Sequence, residues 1–236
     1  MELFFDLDGT LTDPGEGITR CIAYALEGMG HPAPSLESLR RWIGPPLWES
    51  FPVLLQTEDP IEVRRAVDLY RERFTTEGMF ENRIYPGIPA GLAARRAEGH
   101  RLRVVTVKPH LYARKILEHF GLASLFEQVY GSELSGENSD KAELIRLALT
   151  ENGIAAREAW MIGDRRHDIE GARANGVGAI GVLWGYGSAA ELRDAGADAL
   201  IGTIDELGDL LRPPRSPAPP TPVSGGDATP PAGAAE

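Results

Sequence analysis

The sequence predicts an α/β protein in which one parallel sheet is flanked by helices and a helical segment is inserted after its first strand. Three observations carry that reading. The apolar run Leu3-Phe4-Phe5 stands near the start of the chain and stops at an acidic Gly-Thr turn, as a buried parallel strand does when it delivers its end to a site. From about residue 102 to 201, short apolar runs alternate with amphipathic helical patterns, the signature of βαβ units. Between Thr12 and about Tyr85 no strand pattern occurs.

Each element then follows from its local pattern. Ile18, Cys21, Ile22, Ala25, Leu26 and Met29 recur at helical spacing, giving a helix from Pro14 to Met29 that Gly28, Gly30 and Pro32 end. Helices are expected over Ser35–Trp42, Pro46–Leu55 and Pro60–Glu77, the last with Val63, Val67, Tyr70 and Phe74 on one face. Residues 14–85 are therefore expected to form a small helical domain, placed where it can serve as a lid. Past the Tyr85-Pro86-Gly87 turn come a helix from Pro89 to Glu98, a strand from Leu102 to Thr106 and a helix with Ala113, Ile116, Leu117 and Phe120 on one face. A strand at Val129–Gly131, a helix at Lys141–Leu149, a strand at Ala159–Ile162 and a helix from roughly Asp168 to Asn175 follow. The strand Ala179–Leu183, helix Ala189–Asp194, strand Ala199–Ile201 and helix Asp205–Leu211 complete a core expected to comprise residues 1–13 and 86–211. From Arg212 to Glu236, Pro, Ala, Gly, Ser and Thr dominate; so little apolar surface cannot offset the ordering entropy, and the stretch reads as a disordered tail.

Composition narrows the function. The 236 residues are 42% hydrophobic and 25% charged, enough for one sizeable core and a modest second lobe. A net charge of -11, with no Lys/Arg run, argues against a nucleic-acid surface. An acidic protein that handles an anion must concentrate its cations locally. The single cysteine, Cys21, excludes an intrachain disulfide framework, fits a reducing compartment and by its helical position is a core hydrophobe. No apolar run approaches membrane-spanning length and no charged stretch leads a signal-like apolar one, so a soluble cytoplasmic protein without a membrane partner is expected.

The chemistry starts at Asp6-Leu7-Asp8-Gly9-Thr10-Leu11. Acids at i and i+2 of an extended chain face opposite ways, so both serve one site only if the strand ends between them and the backbone curls, which Gly9 permits. Two carboxylates so close repel unless a cation lies between them, and the stretch therefore predicts a metal.

After an apolar strand, this hexapeptide resembles the first motif of the haloacid dehalogenase-like (HAD) phosphatases. The resemblance implies a Rossmann-like parallel-sheet core with an inserted helical cap of the C1 type. It also implies Asp6 as the nucleophile that takes up a phosphoryl group, Asp8 as general acid and base, and Mg2+ bridging Asp6 and the substrate phosphate. Gly9 and Thr10 become candidate substrate contacts. Thr106, ending its strand, matches the second motif, with the Val107 N–H nearby. Two lysines are candidates for the required cation. Lys108 lies two residues past Thr106; Lys141 opens a helix behind Asp140, with Glu143 in a capping-box pattern. In the family the third-motif lysine opens the helix after the third strand, which assigns the role to Lys141 and leaves Lys108 as a pocket-rim residue that contacts substrate.

Gly163-Asp164-Arg165-Arg166-His167-Asp168 matches the fourth motif, with Asp164 binding Mg2+ and Asp168 supporting the metal. Acids four apart share one face if the helix has begun, and His167 then points away. With Asp6 and Asp8 the set is all oxygen, which suits Mg2+ better than Zn2+. The stiff turn Trp42-Ile43-Gly44-Pro45-Pro46 is placed to reach over the site, making Gly44 and Pro45 candidate substrate contacts. Pro14 departs from the family, where many relatives carry Ser, at the start of the lid.

The resemblance implies a Mg2+-dependent phosphomonoesterase working through an aspartyl-phosphate on a small-molecule phosphomonoester. The stretches Val107-Lys108-Pro109, Ile162 to Asp168 and Val182 to Gly187 resemble the phosphoglycolate phosphatase-like branch, particularly members described as 5'-nucleotidases. A nucleoside 5'-monophosphate is therefore ranked first and phosphoglycolate second. A phosphomutase would share every catalytic residue. Haloacid dehalogenation would leave Asp8 and the fourth-motif acids without work, a signalling receiver domain is shorter and lacks the helical insert, and a catalytically dead binding module is disfavoured because no motif residue is missing. Oligomeric state is left open.

Overall fold

Strand β1 (Glu2–Phe5) is buried along its whole length, which explains why it has no polar face to alternate with its apolar one. In a computed structural model of the chain, describing residues 1–211, its pleat sends Leu3 and Phe5 into the larger hydrophobic cluster and Phe4 into the smaller one. The tail from Arg212 expected to be disordered lies outside the described residues.

Around β1 stand β4 (Arg101–Pro109), β5 (Gln128–Ser132), β6 (Ala159–Gly163), β7 (Gly178–Val182) and β8 (Ala199–Ile201), in the order β5-β4-β1-β6-β7-β8 and all parallel. The chain builds outward through β4 and β5, then returns to the other side of β1 for β6. Strand order reverses at β1, and in open parallel sheets the crevice at such a reversal is where ligands bind. Helices α5 (Ile88–Ala97), α6 (His110–His119) and α10 (Ile204–Leu211) bury Leu92, Ile116 and Leu207 in the larger cluster. Helices α7 (Lys141–Asn152) and α8 (Arg166–Ala174) bury Leu144, Ile145 and Ile169 in the smaller one, and the short α9 (Ala189–Asp194) adds Leu192.

Helices α1 (Gly15–Gly28), α2 (Leu36–Leu39), α3 (Leu47–Leu55) and α4 (Pro60–Arg73) fill the region between β1 and α5. A chain of rings joins them to the sheet's own helices: Phe51 meets Tyr70 at 6.3 Å, Tyr70 stacks on Phe74 at 5.5 Å, and Phe74 meets Tyr112 of α6 at 5.3 Å. Cys21 is wholly buried in this core, as its helical position requires.

Three departures from the sequence reading have local causes. Thr12–Asp13 (β2) and Arg83–Ile84 (β3) pair as an antiparallel ribbon where the expectation had no strand; two residues carry no periodicity to read. Helix α4 stops at Arg73 and continues as a wider π turn through Gly78, because Thr75 and Thr76 bond back to the Arg71 and Glu72 carbonyls and compete with the regular ladder. Strand β4 runs on past Thr106 to Pro109, which moves Lys108 from a loop into the sheet. Among the described residues no helix is long and apolar enough to cross a membrane.

At the amino-terminal edge of the sheet, the Arg103 guanidinium is buried against Glu2 and reaches Glu127 at 3.1 Å and Asn152 at 3.1 Å. Arg101 also pairs with Glu2, so losing Arg103 costs Glu2 one of two partners rather than all compensation; removing one partner of a buried polar group costs about 1–3 kcal/mol. Arg103→Ala is therefore expected to lower the urea unfolding free energy by about 2 kcal/mol while leaving kcat within about twofold, since it lies at the far end of β4 from Thr106 and Lys108.

Candidate active site

The site is built at the carboxyl end of β1, where the chain turns sharply at Gly9. Its φ is +86°, and a Cβ there would lie 2.2 Å from an Asp164 oxygen, so both conformation and space reserve the position for glycine. The turn leaves Asp6 and Asp8 buried at one site, as the curl requires.

Lys141 is the first residue of α7, whose N-cap Asp140 accepts a hydrogen bond from the Glu143 N–H at 2.9 Å. That cap fixes where the lysine enters. Its Nζ donates to Asp6 Oδ1 at 2.9 Å and to the Val105 carbonyl at 3.0 Å, and lies 2.6 Å from Asp168 Oδ1. Asp164 follows β6; one oxygen accepts from the Tyr186 N–H at 2.7 Å and the other from the Thr10 hydroxyl at 3.4 Å. Asp168 accepts from the Arg165 N–H at 3.1 Å. Because α8 begins only at Arg166, Asp164 and Asp168 do not share a helical face as the spacing had suggested. They converge through the turn after Gly163, whose Cβ would lie 2.2 Å from the Asp168 carboxyl carbon.

Asp6, Asp164 and Asp168 each present an oxygen within 4.8 Å of the others, all buried. Charges at such separations interact by about 3–4 kcal/mol at an effective dielectric near 20. Burial, then Asp168 and Asp6, push the Asp164 carboxyl well above the usual carboxylate range. Burial raises Asp168 to about 6 against the pull of Lys141. For Lys141 burial works the other way, but Asp168 and Asp6 outweigh it and hold the ammonium charged. With Asp8, four buried carboxylates face two buried ammonium groups, Lys141 and Lys108. A dication balances that count, and three hard oxygen donors fit Mg2+.

Lys108 lies inside the site rather than at its rim. It is only 8% exposed, its Nζ 2.7 Å from Asp8 Oδ2 and 4.6 Å from the centre of the Phe74 ring. Burial raises the Asp8 carboxyl, and Lys108 opposes the shift. Thr106 is buried, its hydroxyl accepting from the Lys108 N–H at 3.3 Å. A cavity of about 90 Å³ opens over Asp6, Asp8, Thr106 and Lys108 and is also lined by Val107 and by Gly44 and Pro45 from the Trp42–Pro46 turn. Gly9 and Thr10 lie beside Asp164, Gly9 packed against its carboxylate and Thr10 donating to it.

Two supports escaped the sequence reading. The Arg165 guanidinium bonds the Ile43 carbonyl at 2.5 Å and Glu191 at 2.9 Å, tying the turn over the cavity to the start of α8. The Tyr186 N–H orients Asp164, and Gly185 and Gly187 on either side leave it room, since a Cβ on either would collide with Asp164. The glycines flanking Tyr186 were the available signal.

A parallel sheet that gathers an Asp-x-Asp pair, a Thr, a Lys and a second acid pair at its strand-order reversal defines a hydrolase of phosphate esters. The family model described as haloacid dehalogenase-like hydrolase matches residues 3–182, and the chain belongs to that family. It is a phosphatase of the HAD type. A 5'-nucleotidase of Pseudomonas aeruginosa is 50% identical over 193 residues, covering 81% of this chain and 86% of that protein. The tyrosine-protein kinase PtkA of Mycobacterium tuberculosis is 35% identical, covering 89% of this chain and 72% of its own. The crystal structure of a predicted phosphatase from Clostridium acetobutylicum superposes with a TM-score of 0.85 at 42% identity, covering 89% of this chain and 96% of that one.

The raised carboxyls fix the sign of a metal test. Without a cation, their ionisation destabilises the fold as pH rises from the unfolded carboxylate pKa near 4 through about 6 for Asp168. Mg2+ is expected to raise Tm, by more at pH 8 than at pH 5, where protons already relieve the repulsion. Differential scanning fluorimetry with Mg2+ against EDTA at the two pH values checks this; no shift at pH 8 counts against the site.

Proposed function

We propose that the protein is a Mg2+-dependent phosphomonoesterase working through an aspartyl-phosphate, with a nucleoside 5'-monophosphate as its first-ranked substrate. The observation that carries this reading is the pairing of roles on one cavity floor. Lys141 holds Asp6 by one oxygen at 2.9 Å, while Asp8, two residues on, is held separately by Lys108 at 2.7 Å. A nucleophile and a general acid are thereby kept apart, each with its own cation.

In the first half-reaction an Asp6 oxygen attacks phosphorus in line, the bond from phosphorus to the alcohol oxygen breaks, and Asp8 gives that oxygen its proton. In the second, water attacks phosphorus, Asp8 takes the water's proton, and phosphate leaves Asp6 as a free carboxylate. Thr106 and the Val107 N–H are assigned to the phosphoryl oxygens, with the Lys141 ammonium offsetting their charge; that both residues line the cavity supports the assignment. Mg2+, held by Asp6, Asp164 and the Asp8 carbonyl with Asp168 in support, would supply further charge neutralisation at the transferring group. The Asp8 carboxylate stands outside the oxygen cluster, which fits its assignment to proton transfer.

Residues 14–85 are read as the C1-type cap over a core of residues 1–13 and 86–211, its Gly44-Pro45 turn closing the cavity during reaction. The 50% identical 5'-nucleotidase supports the nucleotide ranking. A small diffusible substrate and the lone buried Cys21 suit a cytoplasmic enzyme.

The test is phosphate release from nucleoside 5'-monophosphates, phosphoglycolate and sugar phosphates, with Mg2+ and with EDTA. Release is expected to need Mg2+, to be fastest in kcat/KM for a nucleoside monophosphate, and to fall by at least about 10³-fold in Asp6→Asn. Isomerised phosphate esters in place of free phosphate would identify a mutase; undiminished release by Asp6→Asn would overturn the mechanism.

A further inference from the structure

General acid catalysis fixes where the leaving alcohol must lie. The proton goes from Asp8 to the departing oxygen, so the alcohol lies on the Asp8 side of the phosphate. On that side stands a continuous wall. Lys108 Nζ, 2.7 Å from Asp8, lies over the Phe74 ring, and Phe74 is stacked by Tyr70 at 5.5 Å and met edgewise by Tyr112 at 5.3 Å. Tyr70 comes from α4 and Tyr112 from α6, so the wall is shared between the helical insert and the sheet's own helices.

The two tyrosines differ from the other four in the chain. Tyr24, Tyr130 and Tyr186 bond Glu72, Glu151 and Asp13 through their hydroxyls, and Tyr85 pairs with Tyr186. Tyr70 and Tyr112 are 5% and 7% exposed, both line the cavity, and neither hydroxyl has a hydrogen-bond partner among the described residues. The rings are buried but the hydroxyl oxygens are not among the buried atoms left without a partner, so they open onto the cavity the two residues line, and a tyrosine that only filled space here would serve as well as phenylalanine. Two unmatched hydroxyls on an otherwise aromatic wall fit an occupant with an apolar face and hydroxyl groups of its own.

We propose that Tyr70 and Tyr112 form the leaving-group subsite and select phosphomonoesters whose alcohol bears free hydroxyls, as a ribose does. This rests on the phosphomonoesterase reading above and assigns the specificity of that same cavity. The hydroxyls bind the alcohol and take no part in the chemical step. Their loss therefore acts on KM for hydroxyl-bearing substrates and leaves kcat in place.

Tyr70→Phe, Tyr112→Phe and the double variant keep the rings and so the packing. They are assayed with p-nitrophenyl phosphate, a ribonucleoside 5'-monophosphate, its 2',3'-dideoxy counterpart and phosphoglycolate. The wild type is expected to favour the ribonucleotide over the dideoxynucleotide by about tenfold in kcat/KM, the worth of one to two hydrogen bonds. The double variant is expected to erase that preference through KM, with kcat/KM for p-nitrophenyl phosphate, whose leaving group bears no free hydroxyl, falling by less than that for the ribonucleotide. The proposal is overturned if the preference survives in the double variant, if p-nitrophenyl phosphate turnover falls equally, or if the wild type shows no preference for hydroxyl-bearing esters over phosphoglycolate. In each case Asp6-dependent release still stands and with it the phosphatase reading; absence of Asp6-dependent release from every ester overturns both.

Discussion

Four carboxylates buried at the mouth of one strand are the constraint on which the rest of this molecule depends. Left alone they would expel one another or take up protons, and every nearby element offsets part of that cost. Helix α7 starts where it does so that Lys141 meets Asp6 and Asp168 together. Strand β4 runs on for three residues beyond Thr106, and that extension brings Lys108 to Asp8. Backbone amides from Tyr186 and Arg165 serve Asp164 and Asp168 at distances that side chains alone would not guarantee. The central place of β1, between β4 and β6, puts those supports within reach from both sides.

How much of this the sequence discloses depends on whether the signal is local. The alternation of strands and helices, the α1 stripe through Ile18, Cys21 and Leu26, and the Asp140 cap all arise within a few residues, and all are found where their pattern places them. The acids were legible as a group because they are costly anywhere except a site. Register and end points were not legible. The continuation of β4 depends on pairing with β5 across a bulge near Pro109, so nothing in Thr-Val-Lys-Pro itself separates a buried Lys108 from a rim one. The bond from the Thr10 hydroxyl to an acid 154 residues away likewise leaves no trace among its neighbours in sequence.

The cavity divides its labour by origin. Its floor comes from the sheet, through Asp6, Asp8 and Thr106, and is polar; much of its wall comes from the helices between β1 and α5, through Trp42, Tyr70 and Phe74, and is aromatic. Rigid strand ends suit groups that must hold position to a fraction of an ångström. Arg165 joins the two parts by bonding Ile43 on the insert while its own N–H serves Asp168.

The ribbon of Thr12–Asp13 with Arg83–Ile84 brings the two ends of that insert side by side. Closing a chain segment between neighbouring anchor points costs free energy that grows only slowly with its length. The ribbon is a sheet of its own, so the chain leaves the six-stranded sheet after β1 and comes back toward it from a neighbouring point. Such a junction works as a clasp: the helices between β2 and β3 are held at both ends by one short ribbon, next to the turn that carries Asp6 and Asp8.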